Sequence, residues 1–156
     1  MLMKIKVVIF DFDGVFTDNK VYVNEKGEES IACDKSDGVG LSMLDKAGIL
    51  AAVLSSERNT AVYARCHKLG LACVTGSKDK LGDLVDYLGG LHVLPQEAAY
   101  VGNDLADIPC MKYVGLPIAV ANAVEDVKLV AKKITTRCGG DGAVREICEK
   151  ITSRSW

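Results

Sequence analysis

Val8-Ile-Phe-Asp-Phe-Asp-Gly-Val-Phe-Thr-Asp18 decides how this chain is read. Ile5 to Phe10 is an apolar, β-rich run with the pattern of a buried strand. Asp11 and Asp13 stand where that strand should end, and Gly14 allows a sharp backbone turn at once. Two carboxylates so close repel unless a cation sits between them. The pair therefore points to Mg²⁺, a hard ion that prefers oxygen ligands. With the metal in place, one carboxylate can attack an electrophile and the other can carry protons. Asp and Gly also mark ordinary turns at strand ends, so the rest of the chain has to decide between the two.

Outward from this stretch, strand and helix patterns alternate. Lys20 to Cys33 reads as a β-hairpin, with Val21–Val23 as one arm, Asn24–Gly27 as the turn and Ser30–Cys33 as the other arm. Ser36 or Asp37 opens a helix through about Ala47, which Gly48 ends. Ile49–Leu54 is a second buried strand, stopped by Ser55-Ser56. A helix over 59–69 ends at Gly70, and Leu71–Val74 is a short strand. Leu81, Leu84, Val85 and Leu88 share one face of a helix over 78–88. Ala98–Val101 is the next strand, followed by a helix over 104–113, a strand over 116–120, a helix over 124–131 and a short strand over 133–135. Gly139-Gly140 opens a last helix through about Ile151. This alternation predicts an α/β fold, a three-layer, doubly wound and mostly parallel sheet with a small hairpin insertion, in one domain over 1–156.

Composition narrows the class. Of 156 residues, 49% are hydrophobic and 26% charged, a globular balance. The net charge of −2 argues against a nucleic-acid partner. No apolar run reaches membrane-spanning length, and the N-terminus does not read as a signal peptide. The six cysteines form no C-x-x-C pair. They read as mostly buried free thiols in a cytoplasmic protein.

In parallel sheets, ligands bind beyond the carboxyl ends of the strands. Asp11, Ser55, the loop at Gly76 and Asn103 all fall at such ends or just after them. The hydroxyls and nearby N–H groups of Ser55-Ser56 can bind phosphate oxygens, although Ser is also a common helix cap. A lysine in Gly76-Ser-Lys-Asp-Lys-Leu81 can neutralise charge on a nucleophile and a transferring phosphoryl group. Gly102-Asn-Asp-Leu-Ala-Asp107 would complete a metal site.

These four stretches, in this order, resemble the four motifs of the haloacid dehalogenase (HAD) superfamily of phosphohydrolases. The resemblance implies Asp11 as the nucleophile and Asp13 as the acid–base that also offers Mg²⁺ its backbone carbonyl. It selects Ser55 as the second motif and, by the spacing G-x-x-x-K-L, Lys80 over Lys78 as the third. The fourth motif usually reads G-D-D-x-x-D. Here Asn103 replaces the first acid, an amide that ligates without charge, with Asp104 as an alternative ligand and Asp107 further out.

There is no room for a cap domain. The hairpin, Asp37-Gly38 and Gly139-Gly-Asp-Gly-Ala-Val-Arg-Glu146 are similar to the cap-less subgroup. That subgroup acts on 3-deoxy-manno-octulosonate (KDO) 8-phosphate and on nine-carbon 2-keto-3-deoxy acids, and a similar domain is fused to some acylneuraminate cytidylyltransferases, whose fourth motif often reads G-N. The chain most resembles these sialic-acid-linked members. The resemblance implies a homotetramer with hairpins at its centre and a neighbour in place of the cap. It also implies substrate contacts from Thr17, Asp18, Ser56, Glu57, Arg65, Lys68 and Arg145. Nine-carbon enzymes carry Glu, Arg and Lys at positions 57, 65 and 68, whereas KDO 8-phosphate enzymes usually have Arg in place of the Glu. Three readings stand at this point: a sugar-phosphate phosphatase, a non-catalytic assembly domain of a sialic acid enzyme, and an Asp-phosphorylated receiver-like module. Asp13-Gly14 and Thr17-Asp18 do not suit the last.

Overall fold

The computed structural model describes residues 4–156. Its centre is a six-stranded sheet in the order β5-β4-β1-β6-β7-β8, every neighbouring pair parallel. The strands are β1 (Val7–Phe10), β4 (Leu50–Leu54), β5 (Ala72–Val74), β6 (Ala98–Gly102), β7 (Leu116–Ala119) and β8 (Lys133–Ile134). β2 (Tyr22–Val23) and β3 (Glu29–Ser30) form a separate antiparallel hairpin. β1 and β6 are buried at every position, as strands covered on both faces must be.

Helices flank the sheet: α1 (Ser36–Lys46), α2 (Thr60–Leu69), α3 (Lys80–Gly90), α4 (Ile108–Tyr113), α5 (Glu125–Val130) and α6 (Ala143–Thr152). α1 packs on α6, α3 on α4, and α4 on α5. The chain runs from β1 to β4 and β5 on one side, then crosses to β6, β7 and β8 on the other. The switch point therefore lies between the carboxyl ends of β1 and β6, where such sheets form a crevice.

Several expectations shift in detail. The hairpin turn extends to Glu28, because the Asn24 side-chain oxygen accepts from both Lys26 N and Glu28 N. The second arm is therefore Glu29–Ser30, and Ile31 to Cys33 leave the ladder. Neither Ser36 nor Asp37 caps α1. Its N-cap is Lys35, and Asp37 is buried, accepting from Arg145 N at 3.1 Å. The helix expected over 104–113 is two pieces, a 3₁₀ turn (Leu105–Asp107) and α4. Pro109, with no N–H to give, stands near the join. Gly139 and Gly140 precede a turn, and α6 starts at Ala143. All six cysteines are free; Cys66, Cys110 and Cys148 are buried, and Cys138 is exposed. No helix among the described residues is long and apolar enough to cross a membrane.

Candidate active site

The loop after β1 is held from three directions. Asp11 N donates to Val101 O at 2.9 Å, so the ladder with β6 runs one residue past the strand. Phe12 and Phe16 are fully buried and stack with centroids 5.2 Å apart. Their burial turns the loop into one tight helical turn, with Phe16 N donating to Phe12 O at 2.9 Å. The Thr17 hydroxyl accepts from Gly14 N and Asn19 N, both at 3.1 Å. From behind, Gly140 N donates to Val15 O at 3.2 Å, and a Cβ on Gly139 would fall 1.7 Å from the Gly14 carbonyl oxygen. Only glycine permits that approach.

Asp11 and Asp13 thereby open into a cavity of about 390 Å³, with Ser55, Ser56, Glu57, Lys80, Asn103, Asp104 and Asp107 also in its wall. Lys80 Nζ lies 2.9 Å from Asp11 Oδ1 and 2.9 Å from Asp107 Oδ1. Asp107 is saturated: its Oδ1 also accepts from the Tyr100 hydroxyl at 2.8 Å, and its Oδ2 from Asn103 N at 3.0 Å and Asp104 N at 3.2 Å. Asp107 is thus the anchor that fixes Lys80 against Asp11. The Asp79 side chain caps α3 by accepting from Gly82 N, which places Lys80 at the first helical position, facing inward. Lys78 is exposed.

On the far side of Asp11, the Asn103 side-chain amide meets Asp11 Oδ2 and the Asp13 backbone carbonyl. The Asn103 side-chain oxygen position lies 2.9 Å from Asp11 Oδ2 and 3.0 Å from the Asp13 carbonyl oxygen. Turned over, the amide donates to both. Mg²⁺–O bonds of about 2.0–2.1 Å in an octahedron put adjacent oxygens about 2.9 Å apart. With its oxygen inward, Asn103 stands at that spacing from both Asp11 Oδ2 and the Asp13 carbonyl oxygen, as a ligand adjacent to each in a Mg²⁺ shell would. Among the described residues there is no group of three His, Cys, Asp or Glu arranged for a metal, so a cation here depends on the amide and the carbonyl. Asp104 Oδ1 accepts from Leu105 N at 2.7 Å, and its exposed side chain stands at the rim.

Burial raises the Asp11 carboxyl well above its ordinary value, Asp107 adds to this, and Lys80 opposes it. Burial also raises Asp13, with Glu57 and Glu29 adding and Lys80 opposing. Burial by itself would lower the Lys80 ammonium, but Asp11 and Asp107 outweigh it and leave it raised. Both carboxyls are thus raised, and the ammonium beside Asp11 favours its ionised form, the state a nucleophile needs. The Ser55 hydroxyl accepts from Glu57 N at 3.2 Å, which folds the turn after β4 over the cavity.

Residues 50–147 match the haloacid dehalogenase-like hydrolase family. A 3-deoxy-D-manno-octulosonate 8-phosphate phosphatase, KdsC, from Escherichia coli K12 is 38% identical over 148 residues, covering 94% of this chain and 79% of the relative. The chain belongs to the haloacid dehalogenase-like hydrolases. The Moraxella catarrhalis KDO 8-phosphate phosphatase, crystallised with magnesium, phosphate and KDO, superposes on this hydrolase with a TM-score of 0.92 at 36% identity, covering 96% of this chain and 86% of that one. The cobalt-bound Haemophilus influenzae phosphatase gives 0.92 at 33%, covering 97% and 89%.

Some expected contacts are not at the hydrolase's own cavity. Thr17 is spent on the loop backbone, and the exposed Asp18 accepts from Lys20 N. Arg65 reaches Asp34 O at 3.4 Å, and its buried Nε has no partner among the described residues. Lys68 is exposed on α2, and Arg145 pairs with Glu149 along α6. None of the five lines the cavity: the loop after β1 occupies Thr17 and Asp18, and α2 and α6 turn Arg65, Lys68 and Arg145 elsewhere within one chain. Glu57 does line it, but from the turn three residues before α2.

Other residues carry more than their sequence suggested. Lys20, Glu29 and Asn59 form the outer wall, and no motif marks them. Tyr100 reads as core. Its hydroxyl partner, seven residues on, is visible only once β6 and the turn at Asp107 are folded. A second cavity of about 360 Å³ lies at the opposite end of the sheet, lined by Ile5, Ile49, Leu116, Ile151 and Trp156 among others. Among the described residues it holds no comparable carboxylate–ammonium cluster.

Proposed function

We propose that the chain is a Mg²⁺-dependent phosphomonoesterase that removes the terminal phosphate of a 2-keto-3-deoxy sugar acid. The observation that carries this is the Asp11–Lys80–Asp107 chain beside the meeting of Asp11 Oδ2, the Asp13 carbonyl and the Asn103 amide. Asp11 Oδ1, aligned by Lys80, attacks phosphorus and forms an aspartyl-phosphate while the bond to the sugar oxygen breaks. Asp13 gives its proton to that leaving oxygen, then takes a proton from the water that cleaves the aspartyl-phosphate. Ser55 and the turn after it contact the phosphoryl oxygens. A bound Mg²⁺ supplies charge neutralisation for the phosphate; Asp11 Oδ2, the Asp13 carbonyl and the Asn103 amide oxygen would hold it. The intact set Asp11, Asp13, Ser55 and Lys80 favours this over a non-catalytic assembly domain.

The preferred substrate in this reading is a nine-carbon acid phosphorylated at its ninth carbon, such as 2-keto-3-deoxynononate or N-acetylneuraminate 9-phosphate. Glu57 in the cavity wall supports it as an acceptor for sugar hydroxyls near the phosphate. Arg65 and Lys68 would serve a neighbour's cavity in a homotetramer, Arg pairing with the sugar carboxylate in a fork. Val21, Tyr22 and Val23 are 47%, 62% and 58% exposed on the hairpin, which supports association there. The KDO 8-phosphate phosphatase relatives favour a second reading, the eight-carbon acid. The free thiols suit a cytoplasmic site for either.

Comparing kcat/KM for the nine- and eight-carbon phosphates, with and without Mg²⁺, separates these. The nine-carbon acid is expected to be better, and Arg65→Ala and Lys68→Ala to raise KM for it with kcat retained, as when uniform binding is lost. A better eight-carbon substrate, or variants that do not discriminate, overturns the nine-carbon assignment. No phosphate release from either overturns the activity.

A further inference from the structure

Asn103 is the position where an uncharged side chain stands among metal-type oxygens. Its main chain is fixed: N–H donates to Asp107 Oδ2 at 3.0 Å, and the carbonyl accepts from Val124 N at 3.0 Å. The side chain is 8% exposed and lies over Gly14, where a Cβ would fall 2.0 Å from its nitrogen and 2.7 Å from its Cγ. Gly14 has φ +85°, so the loop both needs glycine and leaves the amide its seat. What remains free is rotation of the amide plane, a broad, roughly two-fold torsion. One orientation adds a third oxygen to Asp11 Oδ2 and the Asp13 carbonyl. The other puts the NH₂ group there, 2.9 Å and 3.0 Å from those same two acceptors.

We propose that Asn103 is a positioning latch: its amide bridges the Asp11 carboxylate and the Asp13 carbonyl when no cation is bound, and turns its oxygen inward when one binds. This rests on the reading above that the three oxygens face a divalent cation. A carboxylate at 103 has no donor to offer. Without a cation it would place a second anion about 3 Å from Asp11, with nothing between them. The amide gives up the charge that strengthens cation binding and gains two hydrogen bonds that hold the empty site in its working shape. One of those bonds goes to a carboxylate, the stronger kind. The outcome is a site ordered before the metal arrives, with a weaker grip on it.

The test is the thermal midpoint of the wild type, Asn103→Asp and Asn103→Ala at pH 8, each in EDTA and in excess Mg²⁺, with Mg²⁺ affinity by calorimetry. In EDTA, Asn103→Asp is expected to melt about 5–10 °C below the wild type, from lost charge-assisted bonds and added repulsion. Asn103→Ala, which loses the bonds without adding charge, should fall by about half as much. In Mg²⁺, Asn103→Asp should recover to the wild-type midpoint and bind the ion about tenfold more tightly, because ligand charge sets such affinities. An Asn103→Asp midpoint in EDTA equal to the wild type overturns the latch and leaves the cation site standing. An equal deficit with and without Mg²⁺ also overturns it, since the cost is then not one a cation relieves. If Mg²⁺ changes neither midpoint nor binding heat in any of the three proteins, the cation site itself is wrong and the latch falls with it.

Discussion

Replacing Lys80 with Met removes the cation that contacts both Asp11 and Asp107 while keeping most of its length. The side chains of Lys80, Asp11 and Asp107 are 7%, 11% and 1% exposed, and both contacts are 2.9 Å. Solvent therefore cannot take over for the ammonium. Removing one partner of a buried ion pair costs about 3–5 kcal/mol, since a charge is left uncompensated. Tyr100, Asn103 N and Asp104 N still donate to Asp107, so the deficit falls mainly on Asp11. At about 2–4 °C per kcal/mol for a chain of this size, the midpoint should drop by roughly 6–20 °C at pH 8 without Mg²⁺. The pH dependence has a definite sign. A carboxyl whose folded pKa lies above its unfolded value of 3.8 destabilises the fold only when ionised. That penalty is absent below about pH 4 and complete above the folded pKa. Without Lys80 to oppose it, Asp11 rises further, so the gap between variant and wild type should narrow as pH falls from 8 to 5. The wild-type ammonium, raised above 10.5, contributes fully across that window. Turnover should fall by about 10²- to 10³-fold, as when a single electrostatic donor to the transition state is removed. The readouts are melting curves at pH 5 and pH 8 and steady-state kinetics. A variant as stable as the wild type at pH 8, or a gap that widens toward pH 5, would refute the claim that Lys80 is an enclosed counter-ion to these two carboxylates.

Three further outcomes follow from other parts of the molecule. Asp13→Asn should lower kcat by about 10²- to 10⁴-fold through loss of acid–base catalysis; near wild-type turnover would remove Asp13 from the mechanism. Charged residues at Val21 and Val23 should break a tetramer seen by light scattering, because the exposed hairpin is its proposed seam, and a fully active wild-type monomer contradicts that assembly. Asp37 is 1% exposed with one oxygen unpartnered, and burial pushes its carboxyl up to about 7. Asp37→Asn should therefore stabilise the fold by up to about 4 kcal/mol at pH 8 and hardly at all near pH 4, measured by urea unfolding at both; equal effects at the two pH values would show that Asp37 ionises at its ordinary value.

The parallel sheet was legible because each strand is a short apolar run followed by a breaker and then a helix pattern. That spacing also put Asp11, Ser55, the loop at Gly76 and Asn103 at one rim. Lys80 could be told from Lys78 only through the resemblance, since both read as surface lysines; Asp79 as the cap of α3 is what turns Lys80 inward. Contacts between distant backbone segments were not legible. Gly139 and Gly140 read as a helix start, yet they lie against the Gly14–Asp18 loop more than 120 residues away in the chain. Asp107 read as an outlying acid, and its role appears only when Tyr100, Lys80 and two backbone N–H groups meet it. The hairpin register was missed because it depends on the Asn24 side chain binding Glu28 N. Arg65, Lys68 and Arg145 illustrate a different limit: a single chain gives them no place at its own cavity.

In the proposed mechanism Asp11 accepts the phosphoryl group. Rapid acid quenching during turnover of a sugar-acid phosphate with Mg²⁺, followed by digestion and mass spectrometry, tests it directly. One phosphoryl group is expected on Asp11 within the peptide that carries residues 7–20, and none in Asp11→Asn. Phosphate released at full rate by Asp11→Asn, or a phosphoryl group found on any other residue, would contradict it.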